Sequence, residues 1–213
     1  MVLKSVQITE EQEINRRIER YWNRRSASFS KVRQQELASR NAGLWRALVE
    51  EHLPGKAPLK ILDVGTGAGF FAILLAGRGH DVTGVDMSPD MLHEAKMNMV
   101  AAGCRANFRR MNAQALDFPD RCFDAVISRN LTWTLPDVMQ AYREWHRVLK
   151  TGGVLLNFDS DCGMVVFSKK GSQADVHASV PEELVEECNA IKDGLRISTH
   201  RRPHWVTKLL QKI

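Results

Sequence analysis

Two carboxylates, Asp63 and Asp86, bracket a run of alternating glycines, and their spacing limits what they can bind. Asp63 stands two residues before Gly65, and Gly67 and Gly69 follow at every second position. Glycines so placed remove the Cβ atoms that would hold a ligand away from the backbone, and they accept positive φ. Leu59, Ile61, Leu62 and Val64 form a short apolar run before the turn, and Phe70, Phe71, Leu74 and Leu75 follow it at helical spacing. The turn is thus expected at a helix N-terminus, with unpaired amides facing outward. Strand, glycine turn and helix in this order form the nucleotide-binding corner of a doubly wound α/β sheet.

A dinucleotide fingerprint would need a third glycine at position 70, where phenylalanine stands instead. A carboxylate beside the turn repels a pyrophosphate at short range and suits an ammonium group. Free turn amides suit a carboxylate on the same ligand, and S-adenosylmethionine carries both groups. Asp86 ends a short second strand (Val82, Gly84, Val85) and lies 19 residues beyond Gly67. That is close to the offset at which an acid accepts from ribose hydroxyls. Asp63 through Gly69 closely resembles the first motif of class I S-adenosylmethionine-dependent methyltransferases.

The resemblance covers residues 59 to 158. It implies a doubly wound, Rossmann-like, mostly parallel sheet with helices on both faces. It also implies an N-terminal helical lid over residues 1–55 on one compact S-adenosylmethionine-binding unit, 56–213. Asp86 would hold the ribose diol. The family's Asp-Ala-x-x-Leu-Pro-Phe loop reads here Asn112, Ala113, Leu116, Asp117 and Phe118. Asn112 thus replaces the acid that accepts from the adenine amine, and its side-chain carbonyl accepts without charge assistance. Met87 is either an adenine-packing residue or core filler. Arg129 and Asn130, after the apolar run Phe123 to Ser128, stand where the family places ligand-facing and substrate-facing residues. Tyr21, Trp22, Arg25 and Phe29 are lid candidates. The block from Ser128 to Phe158 resembles the small-molecule, ubiquinone-biosynthesis-like group, which implies methyl transfer to a small molecule. No catalytic residue is assigned; Asp159, Asp161 and His177 are the positions from which substrate contacts or a base could come.

Residues 10 to 53 read as two helices interrupted at Ser26 to Ser30 and closed by Pro54-Gly55. Ser88 and Pro89 start a helix as N-cap and first-turn proline, and Asn107 to Arg110 reads as the third strand. Another helix follows Asp137. Thr151-Gly152-Gly153 reads as a turn into a fifth strand, Val154 to Phe158. Pro181 to Ala190 and Trp205 to Gln211 read as further helices. The family's sixth and seventh strands have no clear counterpart. Met164 to Phe167 is the best local candidate to cover the fifth strand, and a two-fold homodimer covering that edge is the favoured expectation.

The 213 residues, 44% of them hydrophobic, suit one domain with a substantial core. No apolar run approaches the ~18 residues of a membrane span, and the N-terminus lacks a signal-peptide pattern. Cys104, Cys122, Cys162 and Cys188 are scattered and carry no metal-ligand spacing, so a cytoplasmic protein with reduced thiols and no metal is expected. Residues 1–60 hold 12 Lys/Arg against 7 Asp/Glu. A solvated helix face is the preferred reading of that excess, so a nucleic-acid partner is not expected. An RNA methyltransferase using these helices is the alternative, and a non-catalytic S-adenosylmethionine-binding protein is the other.

Overall fold

Alternation along the strands divides their side chains between two cores. On β1 (Lys60–Val64), Leu62 and Val64 enter one core and Ile61 the other. On β4 (Phe123–Arg129), Val126 joins the first and Ala125 and Ile127 the second, as a period of two requires. The computed structural model describes residues 9–56, 58–160, 165–168 and 180–195. Its sheet adds β2 (Asp81–Asp86), β3 (Asn107–Arg110) and β5 (Leu149–Phe158), all pairs parallel, in the order β3-β2-β1-β4-β5. The first core is closed by α1 (Glu10–Leu37), α5 (Val138–Val148), α6 (Glu182–Asp193) and a 3-10 turn, Thr132–Thr134. The second is closed by α2 (Arg40–His52) and α3 (Phe70–Ala76), with Met99 from α4 (Pro89–Ala101). The doubly wound α/β reading therefore holds.

Three local expectations need correction. First, α1 does not break at Ser26 to Ser30. Ser26 and Ser28 return their hydroxyls to the carbonyls of Asn23 and Arg25, and Ser30 accepts from Asn98, so each polar side chain is satisfied inside a continuous helix. The break falls at Ala38, and Ser39 caps α2. Second, Thr151 to Gly153 lie within β5, which begins at Leu149; an irregular register between Phe123 and Ala125 absorbs the positive φ of Gly152. Third, residues 165–168 form no strand beside β5. Phe167 is instead tied to α6. Among the described residues β5 is the sheet edge. Asp161, Cys162, Met164, His177 and Trp205 to Gln211 lie outside the described residues.

Helix α1 lies across the carboxyl ends of the strands in the order of the sheet itself. Glu19 pairs with Arg110 at the end of β3 (2.7 Å), and Asn23 accepts from Ser88 just after β2 (2.6 Å). Phe29 covers Gly67 after β1, and Glu36 pairs with Arg129 at the end of β4 (2.9 Å). A buried amide fastens it from beneath. Asn98 of α4 donates to Ser30 Oγ and to the Ala68 carbonyl (both 3.0 Å) and accepts from Gln34 (2.7 Å).

Asn98→Ala strips three hydrogen bonds, two of them buried, from this junction. Urea unfolding should show a loss of about 1–3 kcal/mol. A loss below about 0.5 kcal/mol, the scale of a neutral surface change, would mean that packing alone holds α1.

Candidate functional site

Between α1 and the carboxyl edge of the sheet lies a cavity of about 420 Å³, within the usual range for a small-molecule site. Its floor is the turn after β1. Gly65, Gly67 and Gly69 all have positive φ (68°, 52° and 85°). At Gly67 a Cβ would stand 3.2 Å from the Phe29 ring, and at Gly69 the same distance from the Ala95 Cβ. Gly67 therefore lets the roof approach the turn, while Gly69 lets α3 pack on α4. Leu131 closes over Gly65, with methyl carbons 2.9 Å from where a Cβ would be.

Two carboxylates, Asp63 buried and Asp86 half-buried, fix the turn. Asp63 Oδ2 accepts from Thr66 Oγ1 (2.6 Å) and from the Ala72 amide (3.2 Å). The second bond caps α3, whose own N-cap is a glycine without a side chain. Asp86 accepts from the Gly67 amide through Oδ2 and from the Ser88 amide through Oδ1, both at 2.9 Å. Burial pushes both carboxyls up to about 6, against the pull of these bonds; Asp86 adds further upward pressure on Asp63.

Four amides of the turn bond inward: Gly65 and Thr66 donate to the Val85 carbonyl, Gly67 to Asp86 and Gly69 to Thr66. Positive charge for an anionic group comes from Arg33 on the roof and Arg129 at the end of β4. Arg33 (Nη1, 2.7 Å) and Arg129 (Nη2, 2.9 Å) share the single carboxylate of Glu36, and all three side chains are largely buried. Arg129 is also sandwiched between Trp45 and Phe70, at 4.4 and 5.0 Å from their ring centroids. Burial lowers the Arg33 pKa; Glu36 opposes that shift and Arg129 adds to it. Arg33 Nε is buried without a hydrogen-bond partner among the described residues.

Asp63, Gly65, Gly67, Asp86, Met87, Asn112, Ala113 and Arg129 all line this cavity, as do Tyr21, Trp22, Arg25 and Phe29; Gly69 does not. Asn112 already accepts from the Gln114 amide through its side-chain oxygen (2.9 Å). Asp159 is engaged elsewhere: its carboxylate accepts from the amide and hydroxyl of Thr132 and so holds the 3-10 turn. His146 is exposed near the end of α5. Sequence reasoning missed Arg33, Leu131, Trp133 and Phe167 as lining residues. Only Arg33 carried a local signal, its i,i+3 pairing with Glu36. Among the described residues no cluster of potential ligands could hold a metal ion, and no helix is long and apolar enough to cross a membrane.

A parallel sheet with a glycine turn, an acid after the second strand and a cavity at its carboxyl edge defines a Rossmann-like nucleotide-binding protein. Residues 62–157, a little under half of the chain, match the family described as "Methyltransferase domain". The chain is 39% identical to a demethylmenaquinone methyltransferase of Thermus thermophilus over 114 residues, 53% of this chain and 52% of that one. The solved YcgJ protein of Bacillus subtilis is 31% identical with a TM-score of 0.51, over 54% of this chain and 49% of that one. A Methanococcus maripaludis structure superposes over 100% of this chain and 87% of its own with a TM-score of 0.55; at 17% identity it supports the fold alone. The chain spans about half the length of the curated relatives it matches.

The raised carboxyls predict a stability signature. A folded carboxyl titrating near 6 binds a proton that the unfolded chain, with a value near 3.8, has already released. The ionised form therefore costs stability above about pH 6, and that cost fades between 6 and 4. Asp63→Asn should accordingly be more favourable relative to the unsubstituted protein at pH 7.5 than at pH 5, by urea unfolding without ligand. A pH-independent difference would contradict it.

Proposed function

We propose that the protein transfers the methyl group of S-adenosylmethionine to a small-molecule acceptor. The observation that carries this reading is the pair of carboxylates, Asp63 buried and Asp86 half-buried, under the roof of α1, in a cavity of suitable size. The residues fit the cofactor from one end to the other. Met87, Met111 and Ala113 flank the adenine end of the cavity, Asp86 receives the ribose hydroxyls, and Asp63 lies beside the ammonium. Arg33 and Arg129 take the carboxylate. S-adenosylmethionine supplies an activated methyl group, so the protein's tasks are to align the acceptor and to exclude water. Leu131, Trp22 and Trp133 are suited to the second task. Of the 1–55 segment, the described α1 acts as the roof of the cavity and is fastened to the rest by Asn98 and the Glu36–Arg129 pair.

The RNA alternative loses support from the roof's own charge pairing. Arg17, Arg20 and Arg24 of α1 all pair with carboxylates (Glu187, Glu13 and Glu183). A binding-only protein would retain every contact above and turn over no acceptor.

Titration calorimetry should show S-adenosylhomocysteine binding more tightly than NAD; the reverse order would sink the reading. Because ribose hydroxyls and an ammonium both favour ionised carboxylates, affinity should be full above about pH 6 and fall as pH drops through it. Asp86→Ala should weaken binding by roughly 1.5–3 kcal/mol, the scale of a hydrogen bond to a charged group. Arg33→Ala should cost a similar ~1.5–3 kcal/mol, and this loss should shrink for a cofactor analogue lacking the carboxylate. An equal loss for both ligands would remove Arg33 from the carboxylate site.

A further inference from the structure

The outer end of the cavity is walled by aromatic rings from three elements, each held by its own polar clamp. Trp133 stands on the 3-10 turn that Asp159 caps. Trp22 of α1 meets it edge-on, ring centroids 6.3 Å apart, beside the Asn23 bond to Ser88. Phe167 also meets Trp133, with ring centroids 5.8 Å apart. Asn189 of α6 grips its backbone at both groups: it accepts from the Phe167 amide at 3.0 Å and donates to the Phe167 carbonyl at 2.9 Å. A carboxamide bonded this way takes both backbone groups of one residue, as a neighbouring strand would.

Helix α6 is in turn fixed to α1. Arg17 makes a two-pronged pair with Glu187 (2.7 and 2.8 Å), and Arg24 pairs with Glu183. Asn189 therefore sets where Phe167 stands relative to Trp22 and Trp133, although it does not itself line the cavity. With the cofactor along the glycine turn, the space among these three rings is what remains for an acceptor. Its walls are apolar, and edges and faces of rings set at steep angles match a flat conjugated ring better than a compact or charged group.

We propose that this recess takes a flat aromatic acceptor and that Asn189 is the positioning residue that sets its outer wall. The proposal rests on the methyltransferase reading above. Asn189 acts only through Phe167, so its removal should change how the recess grips a ring and leave the cofactor's groups where they are.

The test uses 2-hydroxy-1,4-naphthoquinone as probe, followed by quenching of tryptophan fluorescence with and without saturating S-adenosylhomocysteine. Asn189→Ala should raise the probe's Kd by about fivefold or more, a loss on the scale of one aromatic contact. The Kd for S-adenosylhomocysteine should stay within about twofold, since no group on its side has moved. Phe167→Ala should reproduce the split and carries the test if Asn189→Ala does not fold. Unchanged probe binding in either folded variant would overturn the proposal. So would equal weakening of probe and S-adenosylhomocysteine, the mark of a merely structural role, or failure of the unsubstituted protein to bind the probe. Failure to bind S-adenosylhomocysteine alone would instead overturn the methyltransferase reading, and the probe measured without it would still report on the recess.

Discussion

Asp86 bonds the amide of Gly67 with one oxygen and the amide of Ser88 with the other, and so ties the turn after β1 to the start of α4. Asp63 does the same one strand over, joining Thr66 to the first turn of α3. Asp63 is buried and Asp86 half-buried, and the loss of water raises the pKa of both. The geometry of the turn depends on these bonds because its glycines impose little conformational preference of their own. Once the turn is fixed, the amides of Gly65, Thr66, Gly67 and Gly69 are used internally. Side chains then supply the positive charge that an anionic group in the cavity would meet.

That requirement explains the chemistry of α1. Its inward face carries apolar and aromatic residues, Ile18, Trp22 and Phe29, and then Arg33. Two guanidiniums against one carboxylate leave a net positive charge in a largely buried place, an arrangement that favours an incoming anion. The stacking of Arg129 between Trp45 and Phe70 keeps its fork in one orientation. Asn98 and Ser30 keep the helix in register above it.

The fold was readable where local pattern and long-range consequence coincide. Apolar runs gave the strands, Ser88-Pro89 gave the start of α4, and Asp63 with its glycines and Asp86 gave the ligand corner. The serines of α1 misled because their helix-breaking tendency is local, while the bonds that satisfy them include one to Asn98, 68 residues away. The turn amides misled because a helix N-terminus predicts free donors, and only the folded chain brings the Val85 carbonyl and Asp86 within reach. Arg129 was legible as a position, but its partner Glu36 lies 93 residues away on another element. Phe167 belonged to the best local candidate for a strand covering β5. A single amide side chain on α6 gives its backbone a different partner.

The basic N-terminal region shows how far net charge is from surface charge. Read as composition, 12 cations against 7 anions in the first 60 residues invite a polyanionic partner. In the fold five of the cations on α1 divide by direction. Arg17 and Arg24 point to α6 and are neutralised there, Arg20 is met by Glu13, and Arg25 and Arg33 turn inward to the cavity. Helical periodicity makes this division possible, since residues three and four apart share a face while their neighbours do not. One helix thus fastens the roof to α6 with one set of arginines and charges the cavity with another.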